Sequence, residues 1–249
     1  MKTASAYRSI VVLTGAGVSA ESGLATFRDA NGLWHNHRIE DVATPEAFER
    51  DPKLVWEFYS ARRHGALNVV PNAAHYALAA FSRSCEIHGI EFTLVTQNVD
   101  GLHERAHQQA GAAMPLTMHG RVRESRCTGC DRIYPDEESY PVGELPQSTC
   151  CRKLLRPNIV WFGEMPMFIP QIEQKIEVCD LFVTIGTSGN VYPAAGFLMQ
   201  AKAVGATTIC LNKERIPQDR YVDRLFEGTA TRLVPEFFKS DPNWNDNSP

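Results

Sequence analysis

Four of the chain's seven cysteines stand close together, as Cys127-Thr128-Gly129-Cys130 and then Cys150-Cys151. A C-x-x-C pair followed roughly twenty residues later by a second pair of thiols approximates a four-thiolate zinc site. Ser148 occupies the position that would complete a second C-x-x-C, so a three-thiolate or an empty site is the alternative. The histidine of Met118-His119-Gly120 can act as a general base near neutral pH, or be one structural imidazole among the chain's eight histidines. Gln97-Asn98-Val99-Asp100 carries amides and a carboxylate that can hydrogen-bond a carboxamide, a ribose or a water, or else cap a helix. Gly15-Ala16-Gly17-Val18-Ser19-Ala20-Glu21-Ser22-Gly23 lets a backbone approach a pyrophosphate closely, unless it is a plain tight turn. Just beyond it, Arg28 can reach anionic groups while Phe27 and Trp34 wall a ring pocket. Tyr59 and Arg62 are three apart, which on a helix puts both on one face. An Arg offers a fixed fork of donors to a carboxylate and a phenol adds another; the alternative is an ordinary surface pair.

Such groups converge only if the chain brings distant loops together, and the sequence shows how. Ile10 to Thr14 is a largely β-branched run stopping at Gly15, and Phe92 to Thr96, Leu181 to Ile185 and Thr207 to Leu211 repeat the form. Each run ends in small or polar residues, and helical patterns such as Ala73 to Arg83 and Ala194 to Val204 lie between them. The alternation predicts an α/β fold, a doubly wound parallel sheet of Rossmann-like type, whose ligands collect at the carboxyl ends of the strands. Two segments interrupt it. Pro45 to Asn68 has helical spacing of Phe48, Leu54, Val55 and Phe58, and His119 to Pro157 is polar, cysteine-bearing and weakly periodic. The expected organisation is therefore 1–36, 69–118 and 158–239 as the nucleotide-binding domain, 37–68 as a helical insertion, 119–157 as a zinc-binding module and 240–249 as a polar tail. Leu155 to Glu164 reads as an extended edge segment able to pair with a peptide by strand addition.

Composition limits the field further. The chain has 249 residues, 43% hydrophobic and 22% charged, which is globular composition. Its longest apolar runs, Ile10 to Leu13 and Tyr76 to Phe81, fall far short of the ~20 residues of a spanning helix. The odd cysteine count suits a reducing compartment, so the expected location is the cytoplasm. A net charge of −4 supplies no global attraction to nucleic acid or an anionic membrane. The expected partners are protein substrates, with neither nucleic acid nor membrane, and the chain is expected to be a monomer.

Taken in order, GAGVSAESG, TFRD, TQNVDGLH, MHG, CxxC with CC, LRPNIVWFGE, GTS and NKE resemble the bacterial type of the sirtuin family, the NAD-dependent protein lysine deacylases. The resemblance runs from Val11 to about Phe237. It implies an NAD loop drawn from Gly15, Ala16, Gly17, Ser19, Ala20, Glu21, Gly23, Thr26, Phe27, Arg28, Asp29 and Trp34. It implies further that Gln97, Asn98, Val99 and Asp100 face the nicotinamide ribose and carboxamide, and that Gly186, Thr187, Ser188, Asn212, Lys213, Glu214 and Ala230 hold the adenosine half. His119 would be the catalytic base, with Asn98 and Asp100 beside it. Val160, Trp161, Phe162, Gly163 and Glu164 would pair with the backbone of an acyl-lysine substrate, and Cys127, Cys130, Cys150 and Cys151 would hold one structural zinc. The products would be nicotinamide, O-acyl-ADP-ribose and free lysine. The Tyr59/Arg62 pair resembles the subclass that removes acidic acyl groups such as succinyl and malonyl, since an acetyl group has no polar end to satisfy a buried Arg and phenol. Protein ADP-ribosylation and NAD sensing without catalysis are the alternatives on the same scaffold. A dehydrogenase is disfavoured because the glycine turn is not G-x-G-x-x-G.

Overall fold

The computed structural model describes residues 4–25 and 37–239. Thr26, Phe27, Arg28, Asp29 and Trp34, with the tail beyond residue 239, lie outside the described residues. The chain runs β1 (Ser9–Thr14), α1 (Ile39–Val42), α2 (Pro45–Arg50), α3 (Pro52–Leu67), α4 (Ala73–Ile87), β2 (Glu91–Thr96), α5 (Leu102–Ala110) and β3 (Leu116–Thr117). It continues through β4 (Gly120–Cys127), β5 (Ile133–Pro135), β6 (Leu155–Ile159), α6 (Ile169–Glu177), β7 (Leu181–Ile185), α7 (Ala194–Ala203), β8 (Thr207–Asn212), β9 (Arg224–Glu227) and α8 (Ala230–Phe237).

Six of the strands form one parallel sheet in the order β3-β2-β1-β7-β8-β9. Period-2 alternation along β1 sends Ile10 and Val12 into a core with α4 and α8, and Val11 and Leu13 into a second core with α6 and α7. A strand buried on both faces must be apolar throughout, which is why Ile10 to Leu13 is an unbroken run. The doubly wound expectation holds, with β3 and β9 as short edges too weakly patterned to announce themselves.

Among the described residues, two single-turn 3-10 segments, Ala16–Val18 and Ala20–Ser22, follow the glycine turn after β1. The backbone is pinned elsewhere, since Gly17 N–H donates to Gly186 O at 2.8 Å and Gly15 N–H to Ile185 O at 3.0 Å. Gly23, in the left-handed region at φ +94°, ends the second turn.

The two interrupting segments pack together. Strands β5-β4-β6 make a small antiparallel sheet. Val55, Trp56, Phe58 and Tyr59 of α3 share one core with Val122 and Cys127 of β4, Leu155 and Ile159 of β6, and Trp161. Helix α3 starts cleanly because Asp51 Oδ1 accepts from Leu54 N–H at 3.1 Å and Pro52 stands in the first turn. Strand β6 ends at Ile159, earlier than an extended run to Glu164 requires. Glu164 turns back to accept from Trp161 N–H and both guanidinium ends of Arg156, and that closes a turn. Among the described residues no helix is long and apolar enough to cross a membrane.

Candidate active site

The carboxyl ends of β1, β2, β7 and β8 open into one cavity of about 940 Å³, roofed by α3 and the 160–164 turn. Its floor depends on glycine. A Cβ on Gly15 would come within 2.8 Å of Gly186 O, and one on Gly186 within 2.5 Å of Val18 N, so two backbone turns touch where side chains cannot fit. Gly15, Ala16, Gly17, Ser19, Ala20, Glu21 and Gly23 line the cavity from the first turn, and Gly186, Thr187 and Ser188 from the second. Asn212, Lys213 and Glu214 enter from the end of β8 and Ala230 from the start of α8. Asn212 Nδ2 donates to Thr187 O and Glu214 O, each at 2.9 Å, and so holds the two loops together.

The loop after β2 supplies the most elaborate hydrogen bonding. Ser19 Oγ donates to Asp100 Oδ2 at 2.8 Å and accepts from Asn98 Nδ2 at 3.1 Å, while Gln97 Nε2 donates to Thr187 Oγ1 at 3.1 Å. Asp100 Oδ1 accepts Leu102 N–H at 2.9 Å at the start of α5. Asp100 thus serves the start of α5 while Gln97, Asn98 and Asp100 line the cavity. Burial raises the carboxyl pKa of Asp100, against the hydrogen bonds from Leu102 and Ser19. Behind Ser19 stands His75 Nε2 at 3.3 Å, a fully buried imidazole that the sequence did not single out.

His119 lies half-buried at the cavity wall, its Nδ1 3.0 Å from Gln97 O. A carbonyl can only accept, so Nδ1 carries the proton and Nε2 keeps a free lone pair. Desolvation pulls its pKa below the ordinary value, with the Gln97 bond opposing, and the ring is neutral at pH 7.

Tyr59 and Arg62 line the same cavity from α3, with Val160, Trp161, Phe162, Gly163 and Glu164 beside them. Tyr59 is buried and its hydroxyl accepts from Trp161 Nε1 at 3.1 Å. Burial pushes its phenol up to about 12, with Arg62 opposing. Burial also pulls half-buried Arg62 down to about 10, with Tyr59 and Asp100 opposing. In the 160–164 turn, Val160 N–H donates to His119 O and Phe162 N–H to Ala43 O. Phe58 and His37, ring centroids 5.6 Å apart and edge to face, extend the wall beyond the sequence-based set.

At the far side of the small sheet the thiols of Cys127, Cys130, Cys150 and Cys151 all lie within 4.8 Å of one another. The Cys127–Cys151, Cys130–Cys150 and Cys150–Cys151 sulfur separations are 3.3, 3.2 and 3.7 Å. Tetrahedral zinc at ordinary Zn–S distances needs sulfurs about 3.8 Å apart, so the donor set fits that ion. Asp131 and Arg152, each directly after a cluster cysteine, adopt φ +57° and +54°. Ser148 is drawn in as well, 3.2 Å from Cys127 Sγ and 3.7 Å from Cys151 Sγ. Cys85, Cys179 and Cys210 are buried elsewhere, and burial raises all three thiol pKa values.

Comparison with known proteins agrees with this geometry. The Sir2 family model matches residues 15–193. The chain is 47% identical to an NAD-dependent protein deacylase of Pasteurella multocida over 92% of its own length and 95% of that protein. It is 46% identical to one from Caulobacter vibrioides over 91% of its own length and 93% of that protein. Among solved structures, a mutant Sir2 homologue bound to ADP-ribose superposes with a TM-score of 0.86 at 38% identity, covering 95% of this chain and 93% of that one. A Sir2 homologue in complex with NAD superposes at 0.83, also at 38% identity, covering 93% and 88%. This chain belongs to the Sir2 family, the sirtuins.

Proposed function

We propose that the chain is an NAD-dependent protein lysine deacylase whose acyl pocket is built for a carboxylate-ended chain such as succinyl or malonyl. The reading rests on one observation: Tyr59 and Arg62, side by side on α3, face the cavity that also holds Gln97, Asn98 and His119. A guanidinium whose pKa burial has lowered is a charge held at a desolvation cost, and an acyl carboxylate would offset it with bidentate hydrogen bonds. Tyr59, protonated at neutral pH, already accepts from Trp161 and has its own O–H left to donate.

Bound NAD would supply an electrophilic ribose carbon with nicotinamide as leaving group. The residues of this chain do the rest. The Gly15–Gly23 and Gly186–Ser188 turns would cradle the phosphates through backbone N–H groups. Asn98, Asp100 and Ser19 would orient the nicotinamide-side ribose as one hydrogen-bonded unit. Neutral His119, through Nε2, would take a ribose hydroxyl proton, and the walls from α3 and Trp161 would exclude water. The 160–164 turn would hold the substrate backbone, and a zinc ion on Cys127, Cys130, Cys150 and Cys151 would staple the small sheet.

Relatives named as deacylases support the activity, and a solved Sir2 complex with a p53 peptide and NAD+, 28% identical to this chain, supports a peptide substrate. The test is a panel of acetyl-, malonyl-, succinyl- and glutaryl-lysine peptides with NAD, read by mass spectrometry for wild type and Arg62→Met. Arg62→Met is expected to lower desuccinylation far more than deacetylation; equal losses would overturn the acidic-acyl reading.

A further inference from the structure

Arg63, next to Arg62, takes no part in the cavity and is one of the most deeply buried side chains of the protein, with no solvent exposure. Its guanidinium is fully occupied on the small sheet. Nε donates to Val122 O at 2.7 Å, Nη1 to Glu138 O at 2.7 Å and to Asp136 Oδ1 at 3.0 Å, and Nη2 to Ser125 Oγ at 3.2 Å. Asp136 is itself held by Ser125 Oγ and by Tyr140 O–H, the latter at 3.0 Å. The guanidinium carbon lies 5.5 Å from the Trp56 ring centroid and 6.0 Å from that of Tyr140.

These contacts belong to a seam along one face of α3. Trp56 Nε1 donates to Leu155 O at 2.8 Å, and Ser60 Oγ accepts Tyr140 N–H at 3.3 Å. Residues 56, 60 and 63 follow helical spacing, and Tyr59 and Arg62 lie on the adjoining face. The rotation of α3 about its axis, which decides where Tyr59 and Arg62 point, is thus set by bonds to the small sheet. That sheet is also tied to the catalytic side of the cavity. Val122, whose carbonyl Arg63 grips, donates its own N–H to Val99 O at 2.8 Å, between Asn98 and Asp100. His119 immediately precedes the same strand, β4. One side chain therefore connects the helix of the acyl pocket to the strand that leads from His119.

We propose that Arg63 is a specificity-determining positioning residue: by locking α3 onto β4 it fixes the distance of Tyr59 and Arg62 from His119, and with it the discrimination between acidic and neutral acyl chains. The inference builds on the acidic-acyl reading of Tyr59 and Arg62. A buried ion pair is a poor source of net stability compared with apolar packing, whereas four directional bonds from one rigid fork define a geometry that apolar packing does not. An acetyl group makes no bond to Tyr59 or Arg62, so it is insensitive to a small rotation of α3. A carboxylate held bidentately is sensitive to it.

The test is steady-state kinetics of Arg63→Lys with matched succinyl- and acetyl-lysine peptides, alongside wild type and Arg62→Met. Lysine keeps a charge for Asp136 and loses the fork that reaches Val122 O, Ser125 and Glu138 O. The expected result is a fall of about tenfold or more in the succinyl-to-acetyl ratio of kcat/KM, carried by KM for the succinyl peptide, with KM for NAD unchanged. Should Arg63→Lys fail to fold, Asp136→Asn takes its place, because it keeps the bonds to Val122 O and Glu138 O while loosening the fork; the same fall in ratio is expected. A variant that loses both activities in equal proportion, or keeps the wild-type ratio, overturns the positioning role while a selective Arg62→Met loss leaves the acidic-acyl reading standing. A wild type without succinyl preference overturns both.

Discussion

The indole N–H of Trp161 donates to the hydroxyl of Tyr59 across 3.1 Å, joining the turn after β6 to the middle of α3 inside the roof of the cavity. Trp161 is held in turn by Arg156, whose guanidinium carbon lies 3.5 Å from its ring centroid and whose two Nη atoms grip Glu164 at 2.6 and 2.8 Å. Because the indole can only donate, the Tyr59 oxygen is committed as acceptor and its proton is directed to another partner. Tyr59→Phe is therefore expected to lower kcat/KM for a succinyl peptide by roughly tenfold while sparing the acetyl peptide. It also leaves a buried indole N–H without its acceptor, at a cost of about 1–3 kcal/mol in urea unfolding. A variant with unchanged stability and unchanged acyl preference would show the bond to be idle.

What the sequence revealed and what it hid follow from the range of the signals. The Gly15/Gly17 turn and the Gly186 loop were each readable, because a glycine at a strand end is a local statement. That they touch, with Gly17 N–H on Gly186 O, follows only from β1 and β7 being neighbours in the sheet. Tyr59 and Arg62 were legible as a pair through helical spacing alone. What Arg63 does on the adjoining face was not, since its place is decided by Asp136 and two carbonyls distant in sequence. With Ser148 where a second C-x-x-C needs a cysteine, spacing leaves the metal site open; the convergence of adjacent Cys150 and Cys151 on Cys127 and Cys130 comes from the fold. His75 reads locally only as part of the Asn72 cap; its second partner, Ser19, comes from a loop 56 residues earlier.

His119 should keep its activity below the pH at which an ordinary imidazole protonates. Desolvation lowers its pKa and the Nδ1–H bond to Gln97 O opposes, the net shift being downward from the ordinary ~6.5. The working base is the neutral ring, so the acid limb of kcat/KM is expected below pH ~6.5, and activity is expected to be level between about pH 7 and 8. His119→Ala should reduce kcat by roughly 10²- to 10⁴-fold and leave NAD affinity, measured by calorimetry, within a factor of about two. An acid limb at or above the ordinary imidazole value contradicts the desolvated base.

His75 carries a stability prediction of definite sign. Burial pushes it down to about 3, with His107 and Arg105 adding to the fall, while the unfolded chain titrates near ~6.5. Between those values the unfolded state binds the extra proton and the folded state does not, so stability is full above pH ~6.5 and declines as pH falls toward 3. His103 and His107, buried against one another, shift the same way. Urea unfolding measured from pH 7.5 downward should lose roughly 1.4 kcal/mol per pH unit for His75 in this window, with His103 and His107 adding loss in the same direction. His75→Gln is expected to be less stable at pH 7, because Asn72 N–H loses its partner at His75 Nδ1, and to show a shallower slope by about one proton. An unchanged slope would place the acid sensitivity elsewhere.

The cysteine centre makes the last prediction, because its ligand set departs from two C-x-x-C pairs. If Cys150 completes the set, elemental analysis of purified protein should give one zinc per chain, and Cys150→Ala should lose most of it despite the cysteines left at Cys127, Cys130 and Cys151. Ser148, whose hydroxyl lies 3.2 Å from Cys127 Sγ and which also accepts Lys153 N–H at 3.2 Å, supports a ligand without replacing one. Ser148→Ala should therefore keep the one-to-one stoichiometry while weakening zinc retention against a chelator by about ten- to a hundredfold. Cys127 sits in the same core as Trp56, Leu155 and Trp161, so stripping the metal should loosen the small sheet and α3 together while the parallel sheet stays folded. Hydrogen exchange on the chelated protein would register this as lost protection in residues 120–127 and 52–67, with β1, β7 and β8 unaffected. Full zinc occupancy in Cys150→Ala would instead mean that the remaining three cysteines suffice to hold the metal.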